Sequence, residues 1–222
     1  MKKIKSISIL LFLAGWVLTS SISFMGCEPD DGDDDCDTCD LVRKPNIYLY
    51  PTETTFVQIS LDFPMGGEVI TSTPEYNAGW SVTVDPDGMI DNAFPYLFYE
   101  SVQPDIWQKT SGWLVNKDDL GDFFKANLAI YGFSGREIDD FLEYWIPRLK
   151  DDLFYAIYPQ TSNRIEEVIE LQITPRPDNM LRLFFLIKGY NEIPGSKPVE
   201  PQKPVEFLRE GYFVTEWGVI LH

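Results

Sequence analysis

The sequence predicts an α+β fold: an antiparallel β-sheet with a helical hairpin inserted between N-terminal and C-terminal strands. Three observations predict it. Val57, Ile59, Leu61 and Phe63 alternate with Gln58, Ser60 and Asp62, the period of a half-buried strand. From Leu120 to Leu149 the apolar residues recur at helical spacing instead. After Leu153 the alternation returns. Strands, then helices, then strands is the order of an α+β domain.

The elements follow in order. Asn46 to Tyr50 reads as a strand that Pro51 ends. Pro64-Met65-Gly66-Gly67 turns the chain, and Val69 to Thr73 is predicted as its return strand. Trp80, Val82 and Val84 alternate with Ser81 and Thr83, before the turn Asp85-Pro86-Asp87-Gly88. Tyr96 to Glu100 and Gly112 to Val115 are two further strands. The first half is therefore expected to be an antiparallel meander. Leu120, Phe123, Phe124, Leu128 and Tyr131 predict a helix that Gly132 stops. Ser134 and Glu137 have the spacing of a capping box. The helix behind them carries Ile138, Phe141, Leu142, Trp145 and Leu149 on one face, and Pro147 ends or kinks it. Leu153 to Tyr158, Ile169 to Ile173, Met180 to Gly189 and Gly211 to Leu221 are predicted strands. A proline-bearing extended loop, Ile193 to Pro204, precedes the last of them.

The chain opens differently. Lys2, Lys3 and Lys5 precede a mostly apolar stretch from Ile7 to Phe24, which ends at Gly26-Cys27. A membrane span needs about 20 apolar residues. Ser6, Ser8, Thr19, Ser20, Ser21 and Ser23 dilute this one, and its position favours a cleaved signal over an uncleaved anchor. The segment resembles a bacterial lipoprotein signal peptide with a lipobox. That resemblance implies a signal over residues 1–26 and lipidation of Cys27, palmitate included. The protein is then held to a membrane through its lipid, where each buried CH₂ contributes about 0.8 kcal/mol.

Glu28-Pro29-Asp30-Asp31-Gly32-Asp33-Asp34-Asp35 cannot bury apolar surface, so residues 27–43 are expected to form a solvated acidic tether. An acidic run directly after a lipidated cysteine resembles the export tag of outer-membrane lipoproteins that face outward. A plain spacer, or a weak calcium-attracting run, is the alternative. The expected location is extracytoplasmic, at the outer membrane and on the cell surface. Residues 44–222 remain for one domain, long enough for a real core.

The formal charge is −17. Residues 1–26 hold three lysines and no acid, so the chain from Cys27 onward carries −20. Such a surface excludes nucleic acid as a partner, because phosphate recognition needs lysine and arginine. Cys36-Asp37-Thr38-Cys39 lies in the acidic segment, away from any βαβ unit, so a thioredoxin-like role is not expected. Cys36 and Cys39 read as a small disulfide loop or as spectator thiols. His222 is the chain's one histidine, which argues against Ser-His-Asp catalysis and histidine-rich metal sites. No glycine-rich phosphate loop is present in the sequence. No cofactor and no metal are expected.

Two sets of residues bear on chemistry. Glu75, Glu100 and Glu143 are carboxylates set among aromatic residues. Rings beside a carboxyl raise its pKa, as a general acid requires, and two such groups suitably spaced can cleave a glycosidic bond. The competing reading makes them surface residues or partners of Arg148 and Arg182. Trp80, Tyr99, Trp107, Trp113, Tyr144, Trp145 and Trp217 could form an aromatic binding face; Trp107, Tyr99 and Trp113 are its leading candidates, with Trp107 in an apparent loop the best placed. Trp80 and Trp145 fall on apolar faces and are assigned to the core.

Lys44-Pro45-Asn46-Ile47-Tyr48-Leu49-Tyr50-Pro51, Pro74 to Trp80, Tyr96 to Glu100, Glu143 to Pro147 and Thr215-Glu216-Trp217-Gly218-Val219 together are similar to a group of uncharacterised secreted bacterial proteins that share a KPxIYLYP opening. The resemblance implies one domain beginning near Lys44, and it carries no activity. The functional expectation is a lipid-anchored envelope protein that binds a glycan, a peptide or another envelope protein. A carboxylate-dependent hydrolase and a structural subunit of an envelope complex are the alternatives.

Overall fold

The computed structural model describes residues 39–222. The leader, Cys27, the acidic run and Cys36 lie outside the described residues. The elements are β1 (Cys39–Tyr50), β2 (Thr55–Asp62), β3 (Glu68–Thr73), β4 (Trp80–Val84), β5 (Leu97–Pro104), β6 (Trp113–Asn116), α1 (Leu120–Tyr131), α2 (Arg136–Trp145), β7 (Phe154–Thr161), α3 (Ser162–Val168), β8 (Glu170–Thr174), β9 (Asn179–Tyr190) and β10 (Phe213–Leu221). The fold is α+β. No helix among the described residues is long and apolar enough to cross a membrane.

A seven-stranded sheet in the order β3-β5-β1-β10-β9-β7-β6 forms the middle layer, and β4-β2-β8 form a second, smaller sheet. The central strands are apolar on both faces. On β9, Leu183, Phe185 and Ile187 meet the helices, while Phe184 and Leu186 pack into the other core with the small sheet. The helical core holds Phe124, Phe141, Phe185 and Trp217 in edge-on contacts 4.9–5.8 Å apart. α1 and α2 therefore cover one face of the large sheet, and the small sheet together with α3 covers the other.

Several expectations need correction. The first half is not a meander. β3 pairs with β5, and β2 pairs with β4 and β8 in the other sheet. Alternation marks a strand but does not choose its partner. The large sheet is not wholly antiparallel, because β10 and β9 run parallel. A parallel pair needs a long crossover, and the strap of residues 191–212 supplies it. The domain starts before Lys44: Cys39 to Val42 already pair with Ser101 to Pro104. Leu41 and Val42 can be buried and so belong to the sheet rather than the tether. The seven-residue α3 was not anticipated. Ser134 offers its backbone N–H to Glu137 Oε2 at 2.9 Å, half of the expected capping box, but its hydroxyl caps nothing in α2.

Glu137 is instead a buried anchor. Arg209 of the strap grips its two oxygens at 2.9 Å each, and Thr215 Oγ1 donates to Oε1 at 2.9 Å. Trp217 Nε1 donates to its carbonyl at 2.9 Å. The intervening residue on β10 points to the opposite face, as strand geometry requires. There Glu216 accepts from Tyr99 Oη at 2.8 Å and pairs with Arg182 Nε. Arg182 Nη1 continues to Glu166 Oε1 at 2.7 Å and Ile169 O at 2.6 Å, which ties in α3 and the lead into β8. Burial pushes the Arg182 pKa down, but Glu216, Tyr99 and Glu166 together hold it above the usual arginine value.

Removing one partner of a buried pair strands the other charge, at a cost of about 3–5 kcal/mol. Glu137→Ala should therefore destabilise the protein by about that amount. Urea unfolding measures the loss, and hydrogen exchange should show faster opening of α2 and the strap than of β1.

Candidate functional site

β1 is interrupted by a bulge. Its register shifts between Arg43 and Asn46 against β10, and between Val42 and Asn46 against β5. Lys44 sits in that bulge with φ 55°, a left-handed conformation that lysine rarely takes. Pro45 follows, which restricts Lys44 further. Such strain costs about 1–3 kcal/mol and persists only where the surroundings enforce it. Bulges of this kind re-aim side chains and are frequent beside active sites.

The bulge carries the Lys44 ammonium over three rings. Its Nζ lies 4.6 Å from the centroid of Tyr96, 4.4 Å from Phe98 and 5.4 Å from Tyr144. It donates to Asn46 Oδ1 at 3.1 Å and Tyr96 Oη at 3.2 Å. Asn46 Nδ2 donates to Tyr48 Oη at 3.3 Å, and Tyr48 donates to Asp140 Oδ2 on α2 at 2.9 Å. The run Lys44, Asn46, Tyr48 thus forms a relay along one face of β1 that ends at a carboxylate. All three rings around Lys44 are half-buried.

Burial is the main influence on Lys44 and lowers its pKa to about 8; Arg148 works in the same direction, and Asp140 and Glu100 oppose it. Burial raises the Asp140 carboxyl, against the Tyr48 hydrogen bond and the charges of Arg136 and Lys44. Burial also pushes Tyr48 above its ordinary value. The site therefore pairs an amine that is partly neutral near pH 8 with carboxylates and half-buried rings. It can bind a polar ligand through hydrogen bonds and stacking, or hold and release a proton at Lys44 Nζ.

The predicted site residues divide. Glu100 and Glu143 do come to this patch: Glu100 acts on Lys44, and Glu143 on Tyr96 and Asp140. The carboxylates of Glu75, Glu100 and Glu143 accept no hydrogen bond and form no ion pair among the described residues. Glu75 is exposed in the segment between β3 and β4 and joins neither. Arg182 is occupied by Glu216 and Glu166, and Arg148 stacks over Tyr144 at 3.7 Å. The aromatic face needs correction. Trp107 is 5% exposed and packs 6.3 Å from Phe184, because Gln108 and Gln160 bond reciprocally and fold its loop inward. Tyr99 is fully buried, its hydroxyl committed to Glu216. Trp113 is half-buried with its ring edge-on to Phe123. Trp80 and Trp145 are in the core.

Of the residues around the ammonium, the sequence offers Tyr144 as a candidate for an aromatic face but gives Lys44 and Phe98 no role. The signal available was the sequence Lys-Pro inside a strand, since a proline there marks a bulge. A separate cluster was also missed. Asp40, Asp105 and His222 bring ligand atoms within 4.8 Å of one another. Burial raises the Asp40 carboxyl, the Asp105 charge adds to it, and His222 opposes it. Cys39 beside it is disulfide-bonded. A cleft of about 460 Å³ lies elsewhere, between the end of α1 and the strap, lined by Ile130, Phe133, Phe207 and Arg209 among others. The chain matches no family model, no curated protein and no solved structure.

An unperturbed lysine titrates near 10.4. The Lys44 amine should titrate with a midpoint near 8, read from the pH dependence of its Cε shift by NMR. Asp140→Asn should move that midpoint lower still, because it removes a charge that favours the ammonium. Between pH 8 and 10.5 the unfolded chain keeps a proton that the folded chain has lost. The contribution of this group to stability therefore rises with pH across that window.

Proposed function

We propose that this chain is a lipid-anchored binding protein of the bacterial envelope, and that the Lys44 patch is its recognition surface for a glycan. The leader ending at Cys27 and the acidic run behind it support the anchor and the outward-facing, outer-membrane location. The observation that carries the binding role is Lys44 itself, held at φ 55° over Tyr96, Phe98 and Tyr144. A strained bulge that aims an ammonium into half-exposed rings stabilises nothing that an ordinary strand would not. Sugar rings fit the chemistry of that surface: their apolar faces stack on tyrosine and phenylalanine, and their hydroxyls meet Lys44, Asp140, Glu100 and Glu143.

Hydrolysis is the second reading, favoured by the placement of Glu100 and Glu143 on the same patch. One experiment separates the two. The purified protein is titrated by calorimetry against a panel of neutral and acidic oligosaccharides, and each mixture is assayed for released reducing ends. Binding without turnover is expected, with Lys44→Ala and Tyr144→Ala each weakening it at least tenfold. Absence of any bound oligosaccharide, or full affinity in Lys44→Ala, contradicts the binding role. Turnover that Glu143→Gln or Glu100→Gln abolishes replaces it with hydrolysis.

A further inference from the structure

We propose that Asp40, Asp105 and His222 form a binding site for one Zn²⁺ ion. Three separate segments supply the ligands. Asp40 lies at the start of β1, Asp105 directly follows β5, and His222 directly follows β10. β1 lies between β5 and β10 in the sheet, so the ends of the three strands converge.

The donor atoms are close to the spacing a metal needs. Asp40 Oδ1 is 2.9 Å from His222 Nε2, and Asp105 Oδ2 is 4.0 Å from the same nitrogen. Ligands around tetrahedral zinc stand roughly 3.3 Å apart. The two distances to the imidazole nitrogen bracket that spacing, and the ligand atoms all lie within 4.8 Å of one another. The three side chains are 11%, 27% and 22% exposed in that order, so an ion can reach them from solvent.

A second observation points to a cation. Asp40 Oδ2 and Asp105 Oδ1 are both buried and neither has a hydrogen-bond partner. Two adjacent carboxylates with orphaned buried oxygens are costly unless positive charge reaches them. Lys109, which pairs with Asp105, is the lysine at hand, and the His222 imidazole faces Asp40. Neither reaches the orphan oxygens. A divalent ion bound through Asp40 Oδ1 and Asp105 Oδ2 would place its charge on the same two carboxylates.

The donor set selects the metal. Calcium and magnesium favour all-oxygen shells, whereas an imidazole suits zinc and its transition-metal neighbours. Three protein ligands leave a coordination position for water or for a ligand group. The ion would also clamp the start of the described fold to the residue after β10. This inference stands apart from the Lys44 patch.

The test is calorimetry with zinc chloride on the purified protein, untagged and with Cys39 oxidised. One saturable equivalent is expected, with micromolar affinity that excess calcium leaves unchanged. His222→Ala and Asp105→Asn should each weaken it at least tenfold while the circular dichroism spectrum stays the same. Lys109→Met should tighten it several-fold, because it removes the ammonium that competes for Asp105. His222→Ala decides the matter if an aspartate variant fails to fold, since His222 lies beyond the last strand. Absence of one-to-one binding, or affinity unchanged in His222→Ala, overturns the proposal.

Discussion

Three consecutive residues of β10 hold the layers together. Thr215 and Trp217 reach one face and fix Glu137 of α2, while Glu216 reaches the other and fixes Arg182. Each buried carboxylate then recruits a second element: Arg209 brings in the strap, and Arg182 brings in α3 through Glu166. A strand alternates its side chains, so neighbouring residues can serve opposite layers. Apolar packing supplies most of the attraction between layers. It is tolerant of sliding, whereas a buried ion pair is not, because any displacement leaves a charge unpaired. The charged anchors set the registration of the helices and the small sheet on a large sheet that is apolar on both sides.

The same constraint explains the position of the Lys44 patch. α2 is fixed at Glu137, and one turn further on it presents Asp140 to Tyr48, then Tyr144 to Lys44. β1 contributes Lys44, Asn46 and Tyr48, and β5 contributes Phe98 and Glu100. The patch is therefore assembled on rigid elements, with its one strained residue held between them. A surface built in that way holds a lysine half-buried, and that burial lowers its pKa to about 8.

Much of the fold was legible in the sequence because it depends on local periods. The helix from Leu120 to Tyr131, its stop at Gly132 with φ 114°, and the stripe Ile138, Phe141, Trp145 follow from spacing alone. Strand pairing was not legible. β2 and β3 are close in sequence and belong to different sheets, and the parallel β9–β10 pair depends on a crossover without a helix. The site was half legible. Glu100 and Glu143 were identified by their aromatic neighbours and do reach the patch. Trp107 and Tyr99 were misplaced because an aromatic residue in an apparent loop or strand looks the same whether it faces in or out. Glu137, Arg182 and Glu216 gave no sign of burial, since charged residues are ordinarily exposed. Their pairing across 34 and more residues exists only in the folded chain.

The central claim is that the buried anchors on β10 act as paired units rather than as separate contacts. A double-mutant cycle on Arg182→Met and Glu216→Gln, read by urea unfolding, tests it most directly. The account predicts that the double variant is no less stable than the worse single one, because removing both partners leaves no charge stranded in the core, Glu166 being a third exposed and open to solvent. Losses that simply add would contradict it, and would mean that apolar packing alone positions the layers.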